Sequence, residues 1–202
     1  MPGLDHLIAK SLNNIIKQNL GVKTIQKIEN RLFEKYGISW NQSLEEFEKL
    51  DFVLKELFGN IGAKGLEQRF CNAIFDTKSK KNTENWIIIC DPDINSNIIQ
   101  TFGDLEKKKI IESVMESPKI IYEIIKDCSL PQTSGYRKVN ALIDEGFLIP
   151  TEFEIKENKR IYKYSSIIKN LKIDISSNKI KASVLLNEPQ QNQCSFLQIV
   201  TK

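Results

Sequence analysis

The chain has 202 residues, 41% of them hydrophobic and 27% charged, with a formal net charge of +3. That is a globular balance, suited to one large domain or two small ones that bury a core without staples. The charge is too small to imply a polyanion partner by itself, so its distribution along the chain matters more than its sum.

Four cysteines, Cys71, Cys90, Cys128 and Cys194, are scattered with no C-x-x-C pair, and His6 is the only histidine. No metal site and no other cofactor is expected from such a set. Scattered cysteines of this kind fit reduced, buried thiols in a cytoplasmic protein. Residues 1–20 are interrupted by Asp5, Lys10, Asn13, Asn14, Lys17 and Gln18, so no signal-peptide core is expected. No apolar run reaches bilayer length, and no membrane partner is expected.

The expected fold is mainly α with small β hairpins. It comprises an N-terminal helical bundle, a winged helix-turn-helix and C-terminal β strands. Residues 1–75 carry the bundle, serving dimerisation or sensing. Leu4, Leu7, Ile8, Leu12, Ile15, Ile16 and Leu20 recur at helical spacing. Thr24 reads as the cap of a second helix with Ile25, Ile28, Leu32, Phe33 and Tyr36 inward, ended by Gly37. Ser43-Leu44-Glu45-Glu46 has the form of a capping box. It would open a helix carrying Leu44, Phe47, Leu50, Leu54, Leu57 and Phe58, stopped by Gly59. A fourth helix would present Leu66, Phe70, Ala73 and Ile74.

Residues 76–103 read as a linker holding a short strand, Trp86 to Cys90, an Asp91-Pro92-Asp93 turn and a short helix ended by Gly103. Residues 104–164 follow with three helices and a hairpin. The first has Leu105, Ile110 or Ile111, Val114 and Met115 inward, and Lys107, Lys108 and Lys109 on a solvated face. The second starts at Ser117-Pro118, a serine cap before a proline, and carries Ile120, Ile121, Ile124 and Ile125. The third runs from about Gln132 to Gly146. The period then changes, and two alternating strands flank the charged turn 156–160. Residues 165–202 are a β extension: a second hairpin about a turn at 176–179, then a loop at 189–193 and a final short strand from Phe196 to Val200.

Helix, helix, helix, hairpin is the order of a winged helix-turn-helix, in which the third helix enters a major groove and the hairpin tip lies beside it. Val139, Leu142 and Ile143 are spaced to pack inward. Gly135 costs about 1 kcal/mol in a helix interior, which a close approach to Ile121 or Ile125 would explain. Facing outward are Gln132, Thr133, Tyr136, Arg137 and Asn140, with Ser134 at the margin. Gln132 and Asn140 can pair with adenine, and Arg137 with guanine or phosphate. Thr133, Ser134 and Tyr136 can hold phosphate oxygens and set register. Lys156, Lys159 and Arg160 on the wing would make salt-sensitive backbone contacts. Residues 104–164 hold eleven bases and eleven acids. The excess is therefore local: Arg137 and Lys138 have no acid neighbour from Cys128 to Ile143, and Lys156 to Lys163 holds four bases and one acid.

The segment SLPQTSGYRKVNALIDEGFLIPT resembles the recognition helix and wing entry of ArsR-type winged-helix transcription regulators. FGDLEKKKIIESVMESPKIIYEII with PQTSGYRK is similar to an archaeal group of these, found in ammonia-oxidising archaea. FGNIGAKGLEQRF resembles that group's helical N-terminal domain. The resemblance implies a homodimer on double-stranded operator DNA, a DNA-reading role for Gln132, Thr133, Ser134, Tyr136, Arg137 and Lys138, and response to a signal. The clustered Cys and His ligands of metal-sensing members are missing from this sequence.

Two other readings compete. The helix-turn-helix could be a protein-docking surface of an adaptor, consistent with the neutral charge of residues 104–164. The N-terminal bundle could hold a small-molecule effector. Enzyme function is not expected, because the chain has no Gly-rich phosphate loop, nucleophile elbow or metal-ligand spacing. Tyr162 and Tyr164 read as hairpin packing, and His6 as incidental.

Overall fold

The computed structural model describes residues 3–76, 86–176, 179–187 and 194–200. Among these the chain is mainly helical, with two small antiparallel sheets. The polar stretch 77–85, the turn residues 177–178 and the loop at 188–193 lie outside the described residues.

Helix α1 (Leu4–Asn19) buries Leu4, Leu7, Ile8, Leu12, Ile15 and Ile16, the stripe that three- and four-residue spacing requires. Helix α2 (Val22–Tyr36) begins two residues before Thr24, with Gly21 at its N-cap, and ends as expected on Gly37 in the left-handed region (φ 65°). Its buried face is Ile25, Ile28 and Leu32. Phe33 is turned out and 71% exposed, because it lies one position past the buried stripe.

The Ser43 capping box does not form. Ser39 caps α3 (Trp40–Glu45) by accepting from Gln42 N–H, and Ser43 is buried inside that helix, donating to the Trp40 carbonyl at 2.7 Å. Helix α4 (Phe47–Ile74) is two helices joined at Gly59, whose φ of 70° and ψ of 167° interrupt the helical path. Phe47, Leu50, Val53 and Leu54 are buried before the break, and Ala63, Phe70, Cys71 and Ile74 after it. Leu57, Phe58 and Ala73, expected inward, are exposed; the first two sit at the break, in a stretch (55–61) that is exposed throughout. The break brings Glu67, 3% exposed, beside Asp51 of the first half. Burial, and then the neighbouring carboxylate, push the Glu67 carboxyl up to about 7.

Strand β1 (Trp86–Ile89) leads into α5 (Pro92–Gly103). Asp91 caps α5 and Pro92 occupies its first position, so the expected turn is the start of a longer helix. The order continues α6 (Leu105–Ser113), β2 (Lys119–Ile120), α7 (Ile121–Asp127), α8 (Gln132–Asp144), β3 (Leu148–Lys156), β4 (Lys159–Ser166), β5 (Ile168–Ser176), β6 (Lys179–Leu186) and α9 (Ser195–Val200). Ser117-Pro118 does not start α7. The chain first adds β2 to the sheet, and Glu123 accepts from Ile120 N–H at the true helix start. Leu105, expected inward, is 74% exposed, because the Asp104 cap sets α6 with Ile110 and Ile111 facing the core. The last segment is a helix and not a strand. Phe196 is buried edge-on against Phe47 with ring centroids 4.8 Å apart, and Asp5 of α1 accepts from the backbone N–H of Ser195 and Phe196.

The sheets have orders β1-β6-β5 and β2-β4-β3, antiparallel throughout. Asn95 of α5 ties the first together, donating to the Ile89 carbonyl and accepting from Ala182 N–H. One continuous set of buried residues runs from α1 through both sheets to α9. Cys71 and Cys194 are buried in it, and burial pushes the Cys71 thiol up to about 11; Cys128 is half-buried and Cys90 exposed, against the expectation for all four.

Candidate nucleic-acid interface

The site is built on α8. A tight connection, with Ser129 in the left-handed region (φ 53°) and Leu130 N–H bonded to the Ile125 carbonyl, carries the chain from α7 to α8. Val139 and Leu142 are fully buried and Ile143 is half-buried. Gly135 sets the spacing, since a Cβ there would meet Ile125 side-chain atoms at 2.9–3.3 Å. The expected close approach therefore falls at Ile125.

With that face inward, Gln132, Thr133, Tyr136, Arg137 and Asn140 are exposed, and no side chain caps the helix start at Pro131. Ser134 is half-buried and its hydroxyl donates to the Pro131 carbonyl. Arg137 has no acidic partner among the described residues.

Lys138 is placed differently from its neighbour. Its ammonium lies 2.5 Å from Asp104 and 3.2 Å from Glu106, at the start of α6, and its side chain is 19% exposed. Donation from Lys138 holds the Asp104 carboxyl below the usual carboxylate range. Lys107 is also engaged and not solvated: it donates to both Glu145 carboxylate oxygens at 2.8 and 2.9 Å. Both struts fix the start of α6 against α8.

The β3–β4 hairpin closes through Glu157 and Asn158, both at positive φ (49° and 61°), the two-residue turn whose twist suits paired strands. Its tip carries Lys156, Lys159 and Arg160, all exposed. Lys156 pairs with Glu154 at 2.7 Å, and the Arg160 guanidinium lies over the Phe153 ring, 5.1 Å from its centroid. Phe153 and Tyr162 stack edge-on across the pair, so Tyr162 packs on the hairpin as expected while staying partly exposed. Lys159 has no ion-pair partner among the described residues.

Sequence reasoning overlooked the Lys107 and Lys138 struts and His6, because their partners lie 32 (Lys138 to Glu106) to 138 (His6 to Asp144) residues away. Among the described residues no group of three or more His, Cys, Asp or Glu could hold a metal ion, and no helix is long and apolar enough to cross a membrane. No protein family, curated protein or solved structure matches the chain.

Proposed function

We propose that residues 104–166 form a winged helix-turn-helix that reads double-stranded DNA, and that the chain is an ArsR-like transcription regulator acting as a homodimer. The observation that carries this is the outward face of α8. Its first three turns present Gln132, Thr133, Arg137 and Asn140 to solvent, with no acidic partner for Arg137 among the described residues, and the hairpin that follows bears Lys159 and Arg160 at its tip. Glutamine and asparagine suit adenine, arginine suits guanine, and the tip cations suit phosphate. The order α6-β2-α7-α8-β3-β4, with β3 packed on α8 and β4 paired to the β2 strand that leads into α7, supports the same reading, because it is the element order of a winged helix-turn-helix.

A second reading, docking of a protein partner, draws on Phe153, Ile155 and Tyr162, exposed on the same hairpin. Selection from random duplex DNA, with the molecular mass of the complex measured alongside, separates the two. A DNA reader yields a consensus, palindromic for a dimer with half-sites about one helical turn apart. Failure to enrich any sequence at low salt would reject the assignment.

A further inference from the structure

The only histidine of the chain lies where the N-terminal helices meet the end of α8. Its Nδ1 is 2.8 Å from Glu45 Oε1 at the end of α3, and its Nε2 is 2.5 Å from the main-chain oxygen of Asp144, the last residue of α8. Both partners accept. A carbonyl oxygen has no proton to give, and neither has a carboxylate. A neutral imidazole carries one N–H and satisfies one of them, whereas the imidazolium carries two and satisfies both.

The surroundings present acceptors and partial negative charge to both ring nitrogens. The C-terminal end of α8 carries partial negative charge, which a cation complements. The start of α1 is pressed against that end: a Cβ on Gly146 would meet the Gly3 carbonyl oxygen at 2.9 Å and the Leu7 nitrogen at 3.0 Å. Few other charges compete. On α1, Asp5 is engaged with α9 and Lys10 stands one turn away. On α8, Glu145 is held by Lys107, leaving the Asp144 carboxylate. On α5, Asp93 lines the same open cleft of about 560 Å³. His6 borders this cleft, and a third of its side chain is exposed, so protons exchange with solvent.

We propose that His6 is a proton-operated latch: as an imidazolium it ties α1 and α3 to the C-terminal end of α8, and on losing a proton it gives up one of the two bonds. The coupling is complete while both ring nitrogens carry a proton and weakened once one is lost. Its consequence for DNA rests on the reading of α8 given above, but the latch itself does not.

The test uses the full chain labelled with nitrogen-15, in which a single histidine makes the ring resonances unambiguous. On titration, the ring and the backbone amides of Glu145 and Gly146 move with one midpoint. Glu45→Gln, a half-exposed site that leaves the core intact, replaces the accepting carboxylate with a neutral amide and so weakens proton binding by the ring. His6→Gln abolishes the pH response of the two amides. Amides that do not follow the ring, or a ring midpoint indifferent to Glu45→Gln, would overturn the proposal. A chain that binds no DNA would reject the function proposed above and leave this titration to decide the latch by itself.

Discussion

The two ends of α8 are built for different purposes. The N-terminal end is open: no side chain caps it, and Gln132, Thr133, Tyr136 and Arg137 face solvent. The C-terminal end is held at three points, by Gly146 against Gly3 and Leu7, by Glu145 to Lys107, and by the Asp144 carbonyl to His6. A helix fixed at one end and exposed at the other can present side chains in a constant orientation without giving up surface. Rigid placement of this kind is what direct reading of base edges demands. The contrast predicts that changes at the held end act on stability and changes at the open end on binding.

The largest effect is expected at Gly146. Alanine there meets backbone atoms, which cannot give way, and adopts a φ of 82° that L side chains resist. Gly146→Ala should cost about 2–4 kcal/mol of stability in denaturant unfolding. A loss below about 0.5 kcal/mol would show that the held end is loose. Next comes Arg137→Ala, which should weaken binding to a selected site by about 1–3 kcal/mol while leaving stability unchanged. If it destabilises the fold instead, the open end is not open.

Lys138→Met sharpens the contrast within two adjacent residues. Its charge is engaged by Asp104 and Glu106, so the variant should lose up to about 1 kcal/mol of stability and little DNA affinity. The sign with pH follows from Asp104, whose carboxyl is held below its ordinary value by Lys138. A depressed acid stabilises the fold above its unfolded pKa and loses that contribution as pH falls through the folded value. Wild type and Lys138→Met should therefore differ at neutral pH and converge in acid. A DNA defect in Lys138→Met as large as that of Arg137→Ala would return Lys138 to the reading face.

The open end was far more legible in the sequence than the held end. Gly135 is costly in a helix interior, which signals a close approach, and helical periodicity then sorts Val139 and Leu142 from Arg137 and Asn140. Both are local properties. The held end depends on pairings across the fold: His6 to Asp144, Lys107 to Glu145, Lys138 to Asp104. No residue spacing encodes them. The same limit explains the misplaced elements. Ser43-x-x-Glu46 satisfies a capping pattern that Ser39 pre-empts four residues earlier, and a short apolar run such as residues 196–200 suits a strand or a helix until Phe196 finds Phe47.

The smallest expected effect is the most diagnostic of mode. Lys159 and Lys156 flank the same two-residue turn and are both exposed, but Lys156 already answers Glu154 at 2.7 Å and Lys159 answers no acid among the described residues. A tip that meets phosphate gains from each unpaired cation by releasing a counterion from the DNA. Lys159→Ala should therefore weaken all sequences alike, by less than about 1 kcal/mol, and reduce the slope of log affinity against log salt by about 1. Lys156→Ala should reduce it less, because binding through Lys156 must first compete with Glu154. Equal slopes for wild type and both variants would remove the hairpin from the proposed interface without bearing on α8, since any base contacts by Gln132, Arg137 and Asn140 would carry sequence preference and little of the salt dependence.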